Sequence, residues 1–133
     1  MDQLAFYQAK LAFEIDSWDV AEQQKQGKAL LVVDGRSPVA YAAETLPGAI
    51  NLPHRGIDAA STAQLPRDVL LVAFCDGIGC NASTKTALKL AELGFTVKEL
   101  QGGLDWWKRD GYPTVAGGAS CDINTAADCG CGG

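Results

Sequence analysis

The chain is short of several things at once. No window reaches the roughly 18 consecutive apolar residues that a membrane-spanning helix needs. Positive charge is scarce: 11 Lys and Arg face 16 Asp and Glu, for a formal net charge of −5. That balance argues against nucleic acid and anionic membranes as main partners. Histidine occurs once, as His54 after Pro53, and reads as a loop surface residue rather than a general base. The amino terminus, Met1-Asp2-Gln3-Leu4, lacks a basic stretch, and Asp16 and Asp19 break up the next segment. A secretory signal is therefore not expected. The expected compartment is the cytoplasm, where thiols stay reduced.

Cysteine is present but in the wrong number for staples. There are five: Cys75, Cys80, Cys121, Cys129 and Cys131. An odd count excludes a complete disulfide framework within one chain. The last three follow the pattern Cys-x7-Cys-x-Cys without a histidine. A structural zinc site wants four ligands, usually with closer Cys-x2–4-Cys spacing. No metal and no organic cofactor is expected.

What is present is a chain of 133 residues with an ordinary apolar fraction of 47%. That suits one domain with a real core. Residues 2–11 read as a short helix, 13–15 as a brief strand, and 16–26 as a helix capped by Asp16 or Ser17. The run 29–33 is apolar and rich in β-formers, so it reads as a strand buried on both faces. Ser37-Pro38 opens a short helix to about Ala43. Strands follow at 49–52, 68–74 and 96–100, with a broken loop over 53–66. A helix over 81–93 carries Ala87, Leu88 and Ala91 on one stripe, widened by Leu90 and Leu93. Residues 104–110 form a short helix with one packed and one partly exposed tryptophan, Trp106 and Trp107. Strands alternating with helices predict an α/β fold, a central parallel sheet covered on both faces. The expected division is one domain over 1–115, with a helical extension over about 1–12, and a Gly/Cys-rich tail over 116–133 too poor in apolar bulk to order itself.

Cys75 is the residue that points to chemistry. It ends the apolar strand and begins Asp76-Gly77-Ile78-Gly79-Cys80, ahead of a helix. A free thiol has a pKa near 8.5, so only about a tenth is ionised at pH 7.5. Backbone N–H groups and a helix amino terminus converging there favour the thiolate. Gly77 and Gly79 let the loop curl without a Cβ in the way.

The chain resembles the rhodanese-like sulfurtransferases over roughly 13–115. The resemblance rests on separated motifs in the right order. They are Asp34-Gly35-Arg36-Ser37-Pro38, Leu46-Pro47-Gly48-Ala49-Ile50-Asn51-Leu52-Pro53, the strand ending in Cys75, Leu93-Gly94-Phe95, Leu100-Gln101-Gly102-Gly103-Leu104, Trp107 and Gly111-Tyr112-Pro113. It implies a rhodanese-like three-layer domain. It implies that Cys75 takes sulfane sulfur from a small donor such as thiosulfate. Cys75 then holds the sulfur as a persulfide and passes it to a thiol, to cyanide or to a sulfur-accepting protein. It implies that Asp76, Gly77, Ile78, Gly79 and Cys80 form the substrate loop.

Two departures bear on the donor. Many members carry arginine beside the cysteine and again at the loop's end, where this chain has Asp76 and Cys80. Fewer cations mean weaker attraction for a dianion. The cysteine phosphatases need Cys-x5-Arg to grip an oxyanion, and the sixth residue after Cys75 is Asn81. Two other readings stand beside the sulfurtransferase: a non-catalytic module that binds a protein partner, and a thiol redox pair of Cys75 with Cys80. The tail cysteines are candidate sulfur acceptors.

Overall fold

Alternating apolar strands and helices do build a parallel sheet, and a computed structural model describes it over residues 2–118. The tail cysteines Cys121, Cys129 and Cys131, with the expectations placed on them, lie outside the described residues. The strands are β1 (Glu14–Ile15), β2 (Leu30–Asp34), β3 (Ile50–Asn51), β4 (Leu70–Phe74) and β5 (Val97–Leu100). They form one sheet in the order β1-β5-β4-β2-β3, and every pairing is parallel. Parallel neighbours need crossovers, usually helical. Here α1 (Gln3–Phe13) precedes β1, α2 (Ser17–Lys25) leads to β2, and α3 (Pro38–Ala43) joins β2 to β3. A single 3-10 turn, His54–Gly56, lies on the long link to β4. Then α4 (Ala82–Glu92) joins β4 to β5, and α5 (Gly103–Arg109) follows β5.

The sheet is covered on both faces because its strands are apolar on both. Val32, Val72 and Phe74 point to one face and pack with Val20 and Ala21 of α2 and Leu104 and Trp107 of α5. Their neighbours Val33 and Leu71 point the other way, to Leu90 of α4 and Phe95. This is the two-residue period of a strand read out on two cores. Burying each such aliphatic or phenyl side chain contributes about 1.5–3 kcal/mol. Trp107 is buried and donates its indole N–H to the Pro113 carbonyl at 2.8 Å, while Trp106 stays exposed.

Local chemistry sets the ends. Asp16 caps α2, its carboxylate accepting the Asp19 N–H at 2.8 Å. Ser37 caps α3 in the same way at 3.2 Å, with Pro38 as the first helical residue. Two details depart from the sequence reading. The first helix continues to Phe13, leaving only Glu14 and Ile15 to the strand. On α4 the buried stripe is Ser83, Thr86 and Leu90, whereas Leu88 and Ala91 face solvent. The first half of α4 lies against the backbone at Gly35, where Thr86 Oγ1 fills the space a Cβ would need. Small polar side chains fit there and large apolar ones do not. Among the described residues, no helix is long and apolar enough to cross a membrane.

Candidate active site

Cys75 leaves the carboxyl end of β4, between β5 and β2 in the sheet. In open parallel sheets, that edge is where ligands bind. The loop after it closes on itself: the Cys80 N–H bonds the Gly77 carbonyl at 3.2 Å, and Gly79 takes a left-handed φ of +93°. The start of α5 holds the loop from below. Leu104 N–H bonds the Cys75 carbonyl at 2.9 Å, and Asp105 N–H bonds the Asp76 carbonyl at 2.7 Å. Gly103 makes this approach possible, since a Cβ there would collide with the Cys75 carbonyl oxygen.

One flank of the loop is an insulated ion-pair network. Asp34 is fully buried; its carboxylate accepts from Arg36 Nη2 at 2.8 Å, from Thr45 Oγ1 at 2.9 Å and from the Arg36 backbone N–H at 2.9 Å. Arg36 also donates to the Glu44 carbonyl and, through Nη1, to Asp76 at 3.0 Å. Burial works against the Arg36 charge, but the bonds to Asp34 and Asp76 outweigh it and hold its pKa above the usual value. Asn51 Nδ2 ties the turn together by donating to the Asp34 and Arg36 carbonyls, each at 3.0 Å.

The opposite flank is an open cleft of about 400 Å³. The loop contributes Cys75, Gly77, Ile78, Gly79 and Cys80, and α4 contributes Ser83. Glu14, Glu99, Leu100 and residues 101–103 form the far wall, and Lys10 reaches in from α1. Among the described residues, Lys10 is the one cation of that lining and is already paired with Glu14 at 2.8 Å, which raises its pKa. Glu99 accepts hydrogen bonds from Ser83 at 2.6 Å and Thr84 at 2.7 Å.

The two thiols differ in their surroundings. Cys75 is 1% exposed; its thiol donates to the Cys80 carbonyl at 3.2 Å and lies 3.6 Å from Ser83 Oγ. Burial first, and Cys80 second, push its pKa up, against weaker help from Ser83. Cys80 also feels burial, but the bond from Cys75 and the backbone N–H groups of Ala82 and Asp76 outweigh it and bring its pKa down. In the resting site burial opposes the Cys75 thiolate, while the bond from Cys75 and the N–H groups of Ala82 and Asp76 favour the Cys80 thiolate. Cys75 is buried and Cys80 only partly so. Two thiols this close titrate as a pair.

Of the loop residues singled out in the sequence, Cys75, Gly77, Ile78, Gly79 and Cys80 come together in the cleft. Asp76 is outside its lining and turns to Arg36 instead. His54 also lies outside the lining, and its carbonyl accepts from Lys89 at 2.6 Å. Lys10, Glu14, Ser83 and Glu99 escaped the sequence reading. Glu99 had left one signal, a carboxylate within a strand of a sheet expected to be covered on both faces.

Comparison with known proteins agrees with this geometry. A profile of the rhodanese-like domain matches residues 17–110. A sulfurtransferase from Allochromatium vinosum is 30% identical over 103 residues, which is 77% of this chain and 94% of that protein. An HTH-type transcriptional regulator from Mycobacterium tuberculosis is 30% identical over 95 residues, 71% of this chain but only 42% of the regulator. Among solved structures, a Bacillus halodurans protein superposes with a TM-score of 0.80 at 34% identity, covering 93% of this chain and 95% of that one. A Lactobacillus plantarum protein gives 0.72 at 26% identity, covering 84% and 95%.

Proposed function

Because the chain belongs to the rhodanese-like domain family, we propose that it is a sulfurtransferase that carries sulfane sulfur as a persulfide on Cys75. The observation that supports this most is the place of Cys75 Sγ. It lies in a cleft at the end of a central strand, with residues 76–80 folded around it and a hydroxyl beside it.

The cycle needs two displacements. The Cys75 thiolate attacks the outer sulfur of the donor; with thiosulfate, the S–S bond breaks and sulfite leaves with the electron pair. An acceptor thiolate or cyanide then attacks the outer sulfur of the persulfide, and Cys75 leaves as thiolate. Ser83 donates to Glu99 at rest, and its hydroxyl, 3.6 Å from Cys75 Sγ, can turn to donate to the thiolate once Sγ ionises. A proton leaving Sγ has a path through Ser83 to the Glu99 carboxylate.

The charges in the cleft select among donors. A dianion meets a lining in which Lys10 and Glu14 offset each other and Glu99 is left over. In a cleft open to solvent, at effective dielectric constants of about 40–80, an uncompensated carboxylate at ~6 Å costs a dianion roughly 1.4–2.8 kcal/mol and a monoanion half that. Small organic persulfides therefore load Cys75 more readily than thiosulfate does. Beside the mouth, Trp18, Ile78 and Trp106 line a second groove of about 320 Å³ and leave apolar surface exposed. Such a rim suits an acceptor thiol carried on a protein.

The test is a steady-state assay of sulfur transfer to cyanide and to a dithiol, on wild type and Cys75→Ser. Loss of both activities in the variant is expected. Equal turnover without Cys75 overturns the reading, and no turnover in wild type favours a non-catalytic module.

A further inference from the structure

Cys80 shares the cleft with Cys75 but has no part in that cycle. The left-handed turn at Gly79 brings it back over the buried thiol, so that its carbonyl oxygen lies 3.2 Å from Cys75 Sγ. A carbonyl oxygen is about 2.4 Å from its own Cα, which puts the Cys80 Cα within ~5.6 Å of that sulfur. The Cys75 Sγ is about 2.8 Å from its own Cα, so the two Cα atoms lie within ~8.4 Å of each other, a bound that includes the roughly 4.4–6.8 Å range in which disulfides form. Both thiols line one cleft, and closing the link calls for side-chain rotation with movement of the glycine-bearing loop between them. The two thiols also differ in role by exposure: the buried one is placed to hold sulfur and the partly exposed one to attack.

We propose that Cys80 resolves the Cys75 persulfide by attacking Cys75 Sγ, closing a Cys75–Cys80 disulfide and releasing the outer sulfur as hydrosulfide. This rests on the persulfide reading above and adds an outcome to it. The bond that forms joins the two protein sulfurs, and the bond that breaks is the persulfide S–S bond. Its electron pair stays on the departing sulfur. The proton given up by the Cys80 thiol ends on that sulfur, so an ionised persulfide and a thiol become a disulfide and HS−. Sulfane sulfur is reduced to sulfide while the two cysteines are oxidised. Each further turnover needs an external dithiol, or two monothiols, to reopen the disulfide. The lowered pKa of Cys80, from its backbone N–H partners and Cys75, matches a thiol that supplies the attacking thiolate.

The test loads the full-length, reduced chain without oxygen and without added reductant. An organic persulfide generated in situ is the probe, with thiosulfate in a parallel arm. Trapped hydrosulfide is measured and cysteines are mapped under non-reducing conditions. Wild type is expected to release hydrosulfide and to gain a Cys75–Cys80 link. Cys80→Ser is expected to release it at least about tenfold more slowly and to accumulate persulfide on Cys75. Unchanged release from Cys80→Ser overturns the proposal, as does sulfur retained by wild type on Cys75 or moved onto Cys80. A link from Cys75 to any tail cysteine overturns it too. Failure of Cys80→Ser to take up any sulfur at Cys75 overturns the persulfide reading itself, and the proposal with it.

Discussion

On one flank of the Cys75 loop, Asp34 and Arg36 are buried, multiply hydrogen-bonded and joined to Asp76 at 3.0 Å. On the other, Lys10, Glu14 and Glu99 face an open cleft of about 400 Å³. The first flank has exchanged water for fixed partners, so it sets where the loop stands. The second keeps its charges exposed to solvent and substrate, so it sets which sulfur compounds approach. Asp76 shows the difference. It takes the place of a family cation, yet the structure turns its charge to Arg36 and away from the cleft. The unfavourable charge for an anionic donor comes from Glu99 instead, since Lys10 offsets Glu14.

The largest effect is expected on the buried flank. Asp34→Ala leaves Arg36 buried beside an emptied site, and such a broken pair costs about 3–5 kcal/mol. Urea denaturation measures it; a loss below about 1 kcal/mol would mean the network does not hold the loop. On the open flank, Glu99→Gln removes the charge and keeps one acceptor oxygen. The ratio of thiosulfate to organic persulfide turnover should rise up to about tenfold. A fall in that ratio would place the selecting charge elsewhere.

Much of the insulated flank was legible from the chain order. Asp34-Gly35-Arg36-Ser37-Pro38 is local turn chemistry, and Ser37 caps α3 as its position foretells. The apolar strand before Cys75 and the glycine-bearing loop after it were equally readable. The open flank was not, because its parts meet only in the fold. Lys10 and Glu99 are brought to Cys75 by the pairing of β1 with β5 and of β5 with β4. The polar stripe of α4 was missed for a related reason. Ser83 and Thr86 are buried against a site and a glycine, where hydrophobic periodicity has no say. Depth was invisible too: nothing in the chain order says that Cys75 is buried and Cys80 only partly so.

The thiols sharpen the comparison at the seam between the flanks. Cys80 raises the Cys75 pKa through hydrogen bonding and charge. Replacing it with alanine should lower that pKa, so the pH midpoint of Cys75 alkylation shifts downward. An unchanged midpoint would show that burial alone controls it. The smallest effect is expected at the domain surface. The Glu44 carboxyl is held below its usual pKa by Lys108, at 2.9 Å, and then by Thr114, at 2.7 Å. A depressed carboxyl adds stability above the ordinary carboxylate range and loses it as pH falls through the lowered value. Glu44 is partly exposed, so Glu44→Gln should cost about 0.2–1 kcal/mol at neutral pH and flatten the acid slope of stability. A steeper slope in the variant would reverse the assignment.

The central claim is that sulfur rides on Cys75. Peptide-level mass spectrometry after loading with an organic persulfide tests it most directly, using Cys80→Ser so that the adduct persists, with and without Cys75→Ala. The account predicts one added sulfur on the peptide containing Cys75 and none once that cysteine is gone. An adduct on another residue, or no adduct at all, would contradict it.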